Sequence, residues 1–523
     1  MTLQADNEKA SGSSFSINNH LDIQLHDIER PSISSHPRFT KDDVKHGITN
    51  PSSEVVKNVN SIDWDGPLDR QNPLNWSTSK KATNITLLSL ITFLSPFTST
   101  MISPGTQSLM TSFNSTSTTL ASFITSSYLL GYAFGPLVLA PLSEIHGRLP
   151  IYHVCNILFL IFNIACAVAP NLGALIGFRL LAGIAGSCPV TIGAGSIADM
   201  IVREKRGGAM AAWMLGPLFG PSIGPLVGGY LTEATSWRWS FWVPAIAGGI
   251  LTILTLFFMS ESYPPAIIAK KTAQLIQTTS NSSLVSALQS PLAPSALLKQ
   301  SILRPLKMLT MSPIIFLLSM YTAIVYSYLY LCFTTFPTIF EEQYGFSQGS
   351  SGLAYLGIGV GSFIGIGIGG FLSDRILKHL TARHAGKPKP EYRLPTMVVG
   401  GFVVPVGLFM YGWTAEVKAH WILPIIGTGL LGTGTVIAYL ASSTYLIDAY
   451  TTHAASVTAA STVFRSLLGA LLPLAGRSMY AALGVGWGTS VLAFISLALI
   501  PLPFVFYVCG QRIRESKRFS VEF

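Results

Sequence analysis

From about Ala82 onward the chain alternates between long apolar runs and short polar breaks. A run of about 20 apolar residues is long enough to cross the hydrocarbon core of a bilayer as a helix. On that measure the first half is predicted to span a membrane at 82–103, 119–141, 150–169, 172–197, 208–231 and 240–260. The second half is predicted to span it at 312–336, 351–372, 395–413, 421–445, 456–479 and 487–509. The longest internal polar stretch, 262–311, is read as a cytosolic linker between a six-helix unit at 81–261 and another at 312–510, with a short tail at 511–523. Residues 1–80 are rich in Ser, Asn, Asp and His and read as a disordered cytosolic tail. That tail ends in Asp63-Trp64-Asp65-Gly66-Pro67, Asn72-Pro73-Leu74-Asn75-Trp76 and Lys80-Lys81, aromatic and basic groups suited to the headgroup level. No short apolar core follows a basic start, so targeting is expected to fall to the internal helices.

Composition turns this pattern into a class. The 523 residues are 49% hydrophobic and 11% charged, with mean hydropathy +0.48. A soluble surface needs roughly 25% charged residues, so lipid is the expected solvent. The net charge of +9 is spread over short loops, with no basic helix or interleaved aromatic patch, so no nucleic acid is expected as partner. With both termini cytosolic, the inside loops carry fifteen basic residues. These are Arg148; Arg203, Lys205 and Arg206; Lys270, Lys271, Lys299, Arg304 and Lys307; and Arg375, Lys378, Arg383, Lys387, Lys389 and Arg393. The outside loops carry three, Arg238, Lys418 and Arg477. That asymmetry obeys the positive-inside rule. The sequon Asn114-Ser115-Thr116 then falls outside, where it can accept a glycan.

Catalytic constellations are missing. The five cysteines lie within or beside apolar runs without C-x-x-C spacing, which argues against zinc or a disulfide framework. No phosphate-binding glycine loop follows a strand, so neither an enzyme nor an ATP-driven pump is expected, and no cofactor.

Within the spans a few polar residues stand out. Leu142-Ser143-Glu144 follows the second span and Leu372-Ser373-Asp374-Arg375 the eighth, 230 residues later. Weak internal symmetry of this kind points to two bundles around a shared site. Glu144 could pair with Arg148 or a neighbouring helix N-terminus as a two-state latch, or it could simply end a helix in solvent. Arg179 lies mid-span, where charge costs about 2.5–3.5 kcal/mol, and such residues usually face a bundle interior or a wet cavity. Asp199 lies 20 residues on, about 30 Å along a straight helix, so it is assigned to a cytosolic gate with Arg203 and Arg206.

Arg465 is a second membrane-level cation, either facing the cavity or snorkelling to the interface. With no acidic residue mid-span, Arg179 and Arg465 would make a positive cavity suited to an anionic substrate such as an organic acid. Gly216, Gly220 and Gly224 share one face of the fifth span beside Pro217, Pro221 and Pro225, which suits close packing and a bent helix. Tyr326, Tyr330 and Phe333 share a face of the seventh span; with Tyr128, Tyr439 and Ser442 they are candidate cavity walls or ordinary packing. Asp448 lies at the cytosolic end of the tenth span, where it can help close the gate.

These residues resemble the major facilitator superfamily. The loop Ala140-Pro141-Leu142-Ser143-Glu144-Ile145-His146-Gly147-Arg148 is similar to its signature after the second helix. Phe178-Arg179-Leu180-Leu181-Ala182-Gly183 is similar to its fourth-helix arginine motif, and Gly216 through Pro225 to the glycine-proline motif of antiporters. Asp63 through Trp76, Trp237-Arg238-Trp239, Asp448-Ala449-Tyr450 and Pro501-Leu502-Pro503-Phe504 resemble the fungal twelve-span drug:proton antiporter branch, so the resemblance covers about 63–515. Glu144 stands where the family has aspartate, Ala140 where it has glycine, and Leu149 where a basic residue is common. The second-half loop lacks the Gly-Arg pair, which places more of the gating on the first.

The resemblance implies an all-α membrane protein with two pseudo-symmetric six-helix bundles, acting as a monomer in the lipid bilayer. It implies export of a small molecule, whether drug, toxin, organic acid or secondary metabolite, against protons, with Arg179 in proton coupling. A plasma-membrane site is favoured over the vacuole. The alternatives are a passive facilitator, or a non-transporting sensor on the same scaffold.

Overall fold

The computed structural model describes residues 60–202, 205–288, 293–384 and 389–515. The tail residues 1–59 and 516–523, together with Arg203 and Lys387, lie outside the described residues.

Among the described residues, ten segments are long and apolar enough to cross a membrane. In chain order the helices of the first half are α1 (Thr78–Thr100), α2 (Thr106–Ser112), α3 (Thr118–His146), α4 (Arg148–Ala167), α5 (Leu172–Gly186), α6 (Cys188–Met200), α7 (Arg206–Ala234) and α8 (Trp239–Phe258). Here α5 and α6 form one crossing. After the linker helices α9 (Pro264–Thr279) and α10 (Pro294–Met311) come α11 (Pro313–Phe336), the short α12 (Gln348–Leu353), α13 (Tyr355–Arg383), α14 (Leu394–Glu416), α15 (Ile422–Ala449), α16 (Ala454–Leu499) and α17 (Pro501–Glu515).

Two crossings complete the twelve. The last apolar segment, Ala454–Arg514, has 61 residues, about 90 Å of helix, and breaks at Gly484 with φ +76°. It therefore crosses twice, and Arg477, expected in an outside loop, lies within α16 before that break. The remaining crossing is α1. Its later turns are too rich in Ser and Thr to register as apolar, yet Thr92, Ser95, Thr98, Ser99 and Thr100 are all buried. The outward positions of α4, Val154, Ile157, Ile161 and Ile164, are exposed apolar residues on one stripe, as a helix solvated by lipid requires.

The linker is more ordered than its polarity predicts. Both its helices start with proline, at a position where the missing N–H costs nothing. Residues 60–80, read as the end of a disordered tail, also fold. Ser61–Ile62 (β1) pairs in parallel with Val285–Ser286 (β2). Lys271 on α9 reaches Asp65 at 2.6 Å and Asp69 at 3.6 Å. The amides of Gln71 and Asp65 donate to the Asp69 carboxylate and hold it below the usual carboxylate range, with Lys271 adding to the effect. Trp76, expected at the headgroup level, is buried, with the Lys80 ammonium 4.0 Å from its ring.

The glycine-proline run explains how α7 meets α1. A Cβ on Gly216 would come 2.8 Å from Phe93 N and one on Gly220 2.8 Å from Phe97 N, while Gly224 lies against Phe97 O. Pro225 lacks the N–H that would bond the Pro221 carbonyl one turn back, and the Thr100 hydroxyl donates to that carbonyl instead at 3.0 Å. Gly220→Leu should therefore lose its monodisperse peak in size-exclusion chromatography, because backbone blocks the new side chain. Thr100→Val should fold but unfold a few degrees earlier, since an unpaired buried carbonyl costs about 1–3 kcal/mol.

Candidate functional site

At the Arg148 end of the protein, two arginines occupy matching places. Arg148 opens α4, and its Nε is 3.4 Å from Asp199 at the end of α6, while its Nη1 donates to Ser143 Oγ at 2.7 Å. In the second half Arg393, immediately before α14, takes the same role. Its Nε is 2.6 Å from Asp448 at the end of α15, and its Nη1 donates to Ser373 Oγ at 3.3 Å and lies 3.8 Å from Asp374. Ser143 and Ser373 are the repeated serines of the two loops. The arginine missing from the second loop is thus supplied from further along the chain, so both halves carry an arginine–aspartate–serine contact at this end.

Other loop residues fall elsewhere. Glu144 is exposed and takes no part in the Arg148 pair; the expected partner is replaced by Asp199, to which the third span's start brings Arg148. Arg206 does not join Asp199 either; its guanidinium donates to the Ile201 and Ala198 carbonyls at 2.7 Å each. Arg375 lines a cleft of about 690 Å³ with Ile376, His379, Pro395 and Phe504.

Glu261, unnoticed in the sequence, organises the first loop. Its carboxylate accepts from the backbone N–H of Arg148 at 3.0 Å, Leu149 at 2.9 Å and Tyr263 at 2.8 Å. Gly147 lies at φ +93° with Glu261 at 2.5 Å from where a Cβ would stand, so the turn admits only glycine. The Arg148 guanidinium sits 4.7 Å over the Tyr263 ring, whose phenol is pushed above its ordinary value by burial.

Arg179 is fully buried, and each of its three guanidinium nitrogens donates to a carbonyl. Its Nε donates to Ile124 O at 3.2 Å, Nη1 to Thr98 O at 3.0 Å and Nη2 to Ser99 O at 2.7 Å. Thr98 and Ser99 lie in the last turn of α1, where carbonyls have no partner within the helix and the dipole favours a cation. The ring of Tyr128 stacks 4.7 Å from the guanidinium. Tyr128 and Tyr132 both reach Ser95 Oγ, at 2.8 and 2.6 Å. Tyr132, one turn from Tyr128, was legible as an i, i+4 pair but went unnoticed.

Arg465 is arranged differently. Its guanidinium lies 4.8 Å from the rings of both Tyr326 and Tyr439, and its buried Nε has no hydrogen-bond partner. Tyr326 continues into an aromatic ladder: Tyr330 at 5.3 Å, then Phe333 at 5.4 Å, then Tyr355 at 5.7 Å. The predicted face of the seventh span is therefore real as a set of touching rings. Ser442 on α15 is buried with an unpartnered hydroxyl.

At the opposite, Asn114 end the halves are bridged by hydrogen bonds. Glu233 of α7 accepts from Gly349 N at 2.7 Å and Ser347 Oγ at 3.0 Å, and Gln348 Nε2 donates to Ser108 Oγ at 2.7 Å. Asn114 is exposed in the turn between α2 and α3.

Twelve crossings in two bundles, with matched arginine–aspartate pairs after corresponding helices, define a membrane transporter fold rather than an enzyme. The profile of the Major Facilitator Superfamily matches residues 88–473, and the chain belongs to that superfamily. It is 58% identical over 470 residues to the MFS-type transporter penM of Penicillium rubens, covering 90% of this chain and 92% of that one. It is 50% identical to the MFS-type transporter tndD of Aspergillus flavipes over 91% of this chain and 89% of that protein. To the efflux pump radE of Floropilus chiversii it is 45% identical, over 90% and 87%. Among solved structures, the fold is similar to a bacterial homologue of the human lysosomal transporter Spinster, with TM-score 0.60 and 16% identity over 84% of this chain and 98% of that one. It is also similar to the proton:xylose symporter XylE, with TM-score 0.59 and 15% identity over 83% and 97%.

Glu261→Gln should loosen the start of α4 while leaving the fold intact, because a neutral amide is a weaker partner for a helix N-terminus than a carboxylate. The expected reading is faster hydrogen exchange at the Arg148 and Leu149 amides, by a loss of about 1 kcal/mol of local protection. Unchanged exchange would remove Glu261 from the role.

Proposed function

We propose that the protein is a secondary active transporter that exports small organic molecules by alternating access in exchange for protons. The observation that carries this reading is where the two halves are tied. Their polar bridges, Glu233 to Ser347 and Gly349 and Gln348 to Ser108, gather at the Asn114 end. The pairs at the other end, Arg148–Asp199 and Arg393–Asp448, each stay within one half. A carrier whose halves rock about a midplane site needs such an arrangement, in which one end closes while the other is released.

The positive-inside count supports placing the Arg148 end and both termini in the cytosol, with the linker, and Asn114 outside. An outward-facing, exposed Asn114 suits a glycan, and the plasma membrane is favoured over the vacuole. The naming of one relative as an efflux pump supports export. In this scheme residues 81–261 and 312–510 are the two moving bodies, and one monomer suffices. Asp199 and Arg148 serve as the cytosolic latch of the first body, and Asp374, Asp448 and Arg393 as that of the second. Asp199 is the carboxylate we assign to proton coupling, since its protonation would release Arg148. Arg179 holds α1, α3 and α5 together, so that they move as one piece.

The second reading is a passive facilitator, favoured by one observation. The carboxylates of the described spans, including Asp199, Glu233, Asp374, Glu416 and Asp448, lie near helix ends rather than at mid-depth.

Inside-out vesicles from cells expressing the protein separate the two. Uptake of a metabolite panel should rise several-fold when the lumen is acidified and collapse with an uncoupler, and Asp199→Asn should remove the gradient dependence. Flux that follows only the substrate gradient makes the protein a facilitator. Endoglycosidase treatment should increase the gel mobility of the wild type but not of Asn114→Gln; no glycan on either leaves Asn114 unmodified.

A further inference from the structure

Among the described residues, two arginines of α16, Arg465 and Arg477, have a buried Nε without a hydrogen-bond partner; Arg477 has the carboxylates of Glu341 and Glu342 nearby, and Arg465 has none. Arg179 is spent on three carbonyls. Glu233, Glu261 and Glu416 each accept backbone N–H groups at the start of a helix. Arg465 has no carboxylate within ion-pair reach among the described residues, and its buried Nε donates to nothing. It lies 11 residues into α16, about 16 Å from the Arg148 end, close to the middle of a hydrocarbon core about 30 Å thick. Snorkelling from there would need a side chain more than twice as long as arginine. Instead, the rings of Tyr326 and Tyr439 brace the guanidinium at 4.8 Å, with the Tyr439 phenol as its polar neighbour and Nε left without a partner.

We propose that the counter-ion of Arg465 is the transported molecule, and that the protein selects organic anions, carboxylates with an aromatic or apolar body. The chemistry of the surroundings matches both parts. A guanidinium offers paired N–H donors that fit a carboxylate side by side, and in a low-dielectric site such a pair is stronger than at a surface. The ladder of Tyr326, Tyr330, Phe333 and Tyr355 starts at the same guanidinium and provides a wall of rings for the rest of the molecule. Tyr439 closes the other side with a phenol. A cationic molecule would find no carboxylate at this depth and would meet Arg465 as a like charge. Arg179, which the sequence grouped with Arg465 as a second anion receptor, differs from it in that each of its three nitrogens already donates to a backbone carbonyl. This inference rests on the transporter reading but not on proton coupling or on the direction of transport.

The test uses full-length protein in detergent and in proteoliposomes, with naphthoate and its neutral amide, naphthamide, as matched probes. Equilibrium binding should favour naphthoate over naphthamide by at least tenfold in the wild type, and Arg465→Gln should erase that preference. Arg465→Lys should restore part of it, since it keeps the charge and loses the paired donors. Arg179→Gln, where it yields folded protein, should leave the preference in place. Equal binding of the two probes, no binding of either, or the same preference in Arg465→Gln would overturn the proposal. Flux in proteoliposomes separates this result from the transporter reading. Selective naphthoate binding without any flux, with or without a gradient, defeats transport but leaves the anion site standing. Flux of both probes without preference defeats the anion site and leaves transport standing.

Discussion

The hydrocarbon core offers no water, so each charge and each freed backbone group within it needs a partner in the protein or in a molecule the protein binds. The placement of nearly every polar side chain described above follows from that constraint. Arg179 closes the end of α1 by taking two of its last carbonyls, and reaches Ile124 of α3 with its third donor. Thr100 fills the gap that Pro225 opens in α7. Glu416 accepts from Val485 at 2.7 Å and Gly486 at 3.1 Å, where Gly484 breaks the long last segment. Glu261 and Gly147 do the same where α3 turns into α4. Both turns use one device: a glycine in the left-handed region and a carboxylate, brought from elsewhere in the same half, on the N–H groups that follow.

Against that background, the two halves share a plan although their sequences barely match. Ser143 with Arg148 and Asp199, and Ser373 with Arg393 and Asp448, are the same three-way contact built twice. The arginine comes from the loop's end in one half and from the residue before α14 in the other. Geometry was retained while position in the chain shifted. Ion pairs that stay within a half are compatible with rigid bodies, and the bridges at Glu233 and Gln348 tie those bodies at one end only.

Much of this was legible from residue order. Run length and charge asymmetry gave the crossings and the linker, because partition into lipid depends on local composition, while the resemblance to the family rested on short motifs such as those at 140–148 and 216–225. Touching rings at Tyr326, Tyr330 and Phe333 followed from helical spacing alone. The roles of Glu144, Arg393 and Glu261 were not legible. Glu144 lies in the motif yet points to solvent, whereas Glu261 and Arg393 sit in polar stretches that look like ordinary loop.

The sequence by itself therefore determined the solvent and the number of crossings, which depend on properties summed over twenty residues at a time, and pointed to the superfamily through short motifs of fixed spacing. Only the tertiary structure decided which charges are already neutralised. Arg179 and Arg465 look alike in sequence, each a single cation in an apolar span. One lies beside the open end of α1 and the other between two tyrosines, and that difference depends on helices from distant parts of the chain. Pairing falls off over a few ångströms, and no pattern along the chain records which groups come that close.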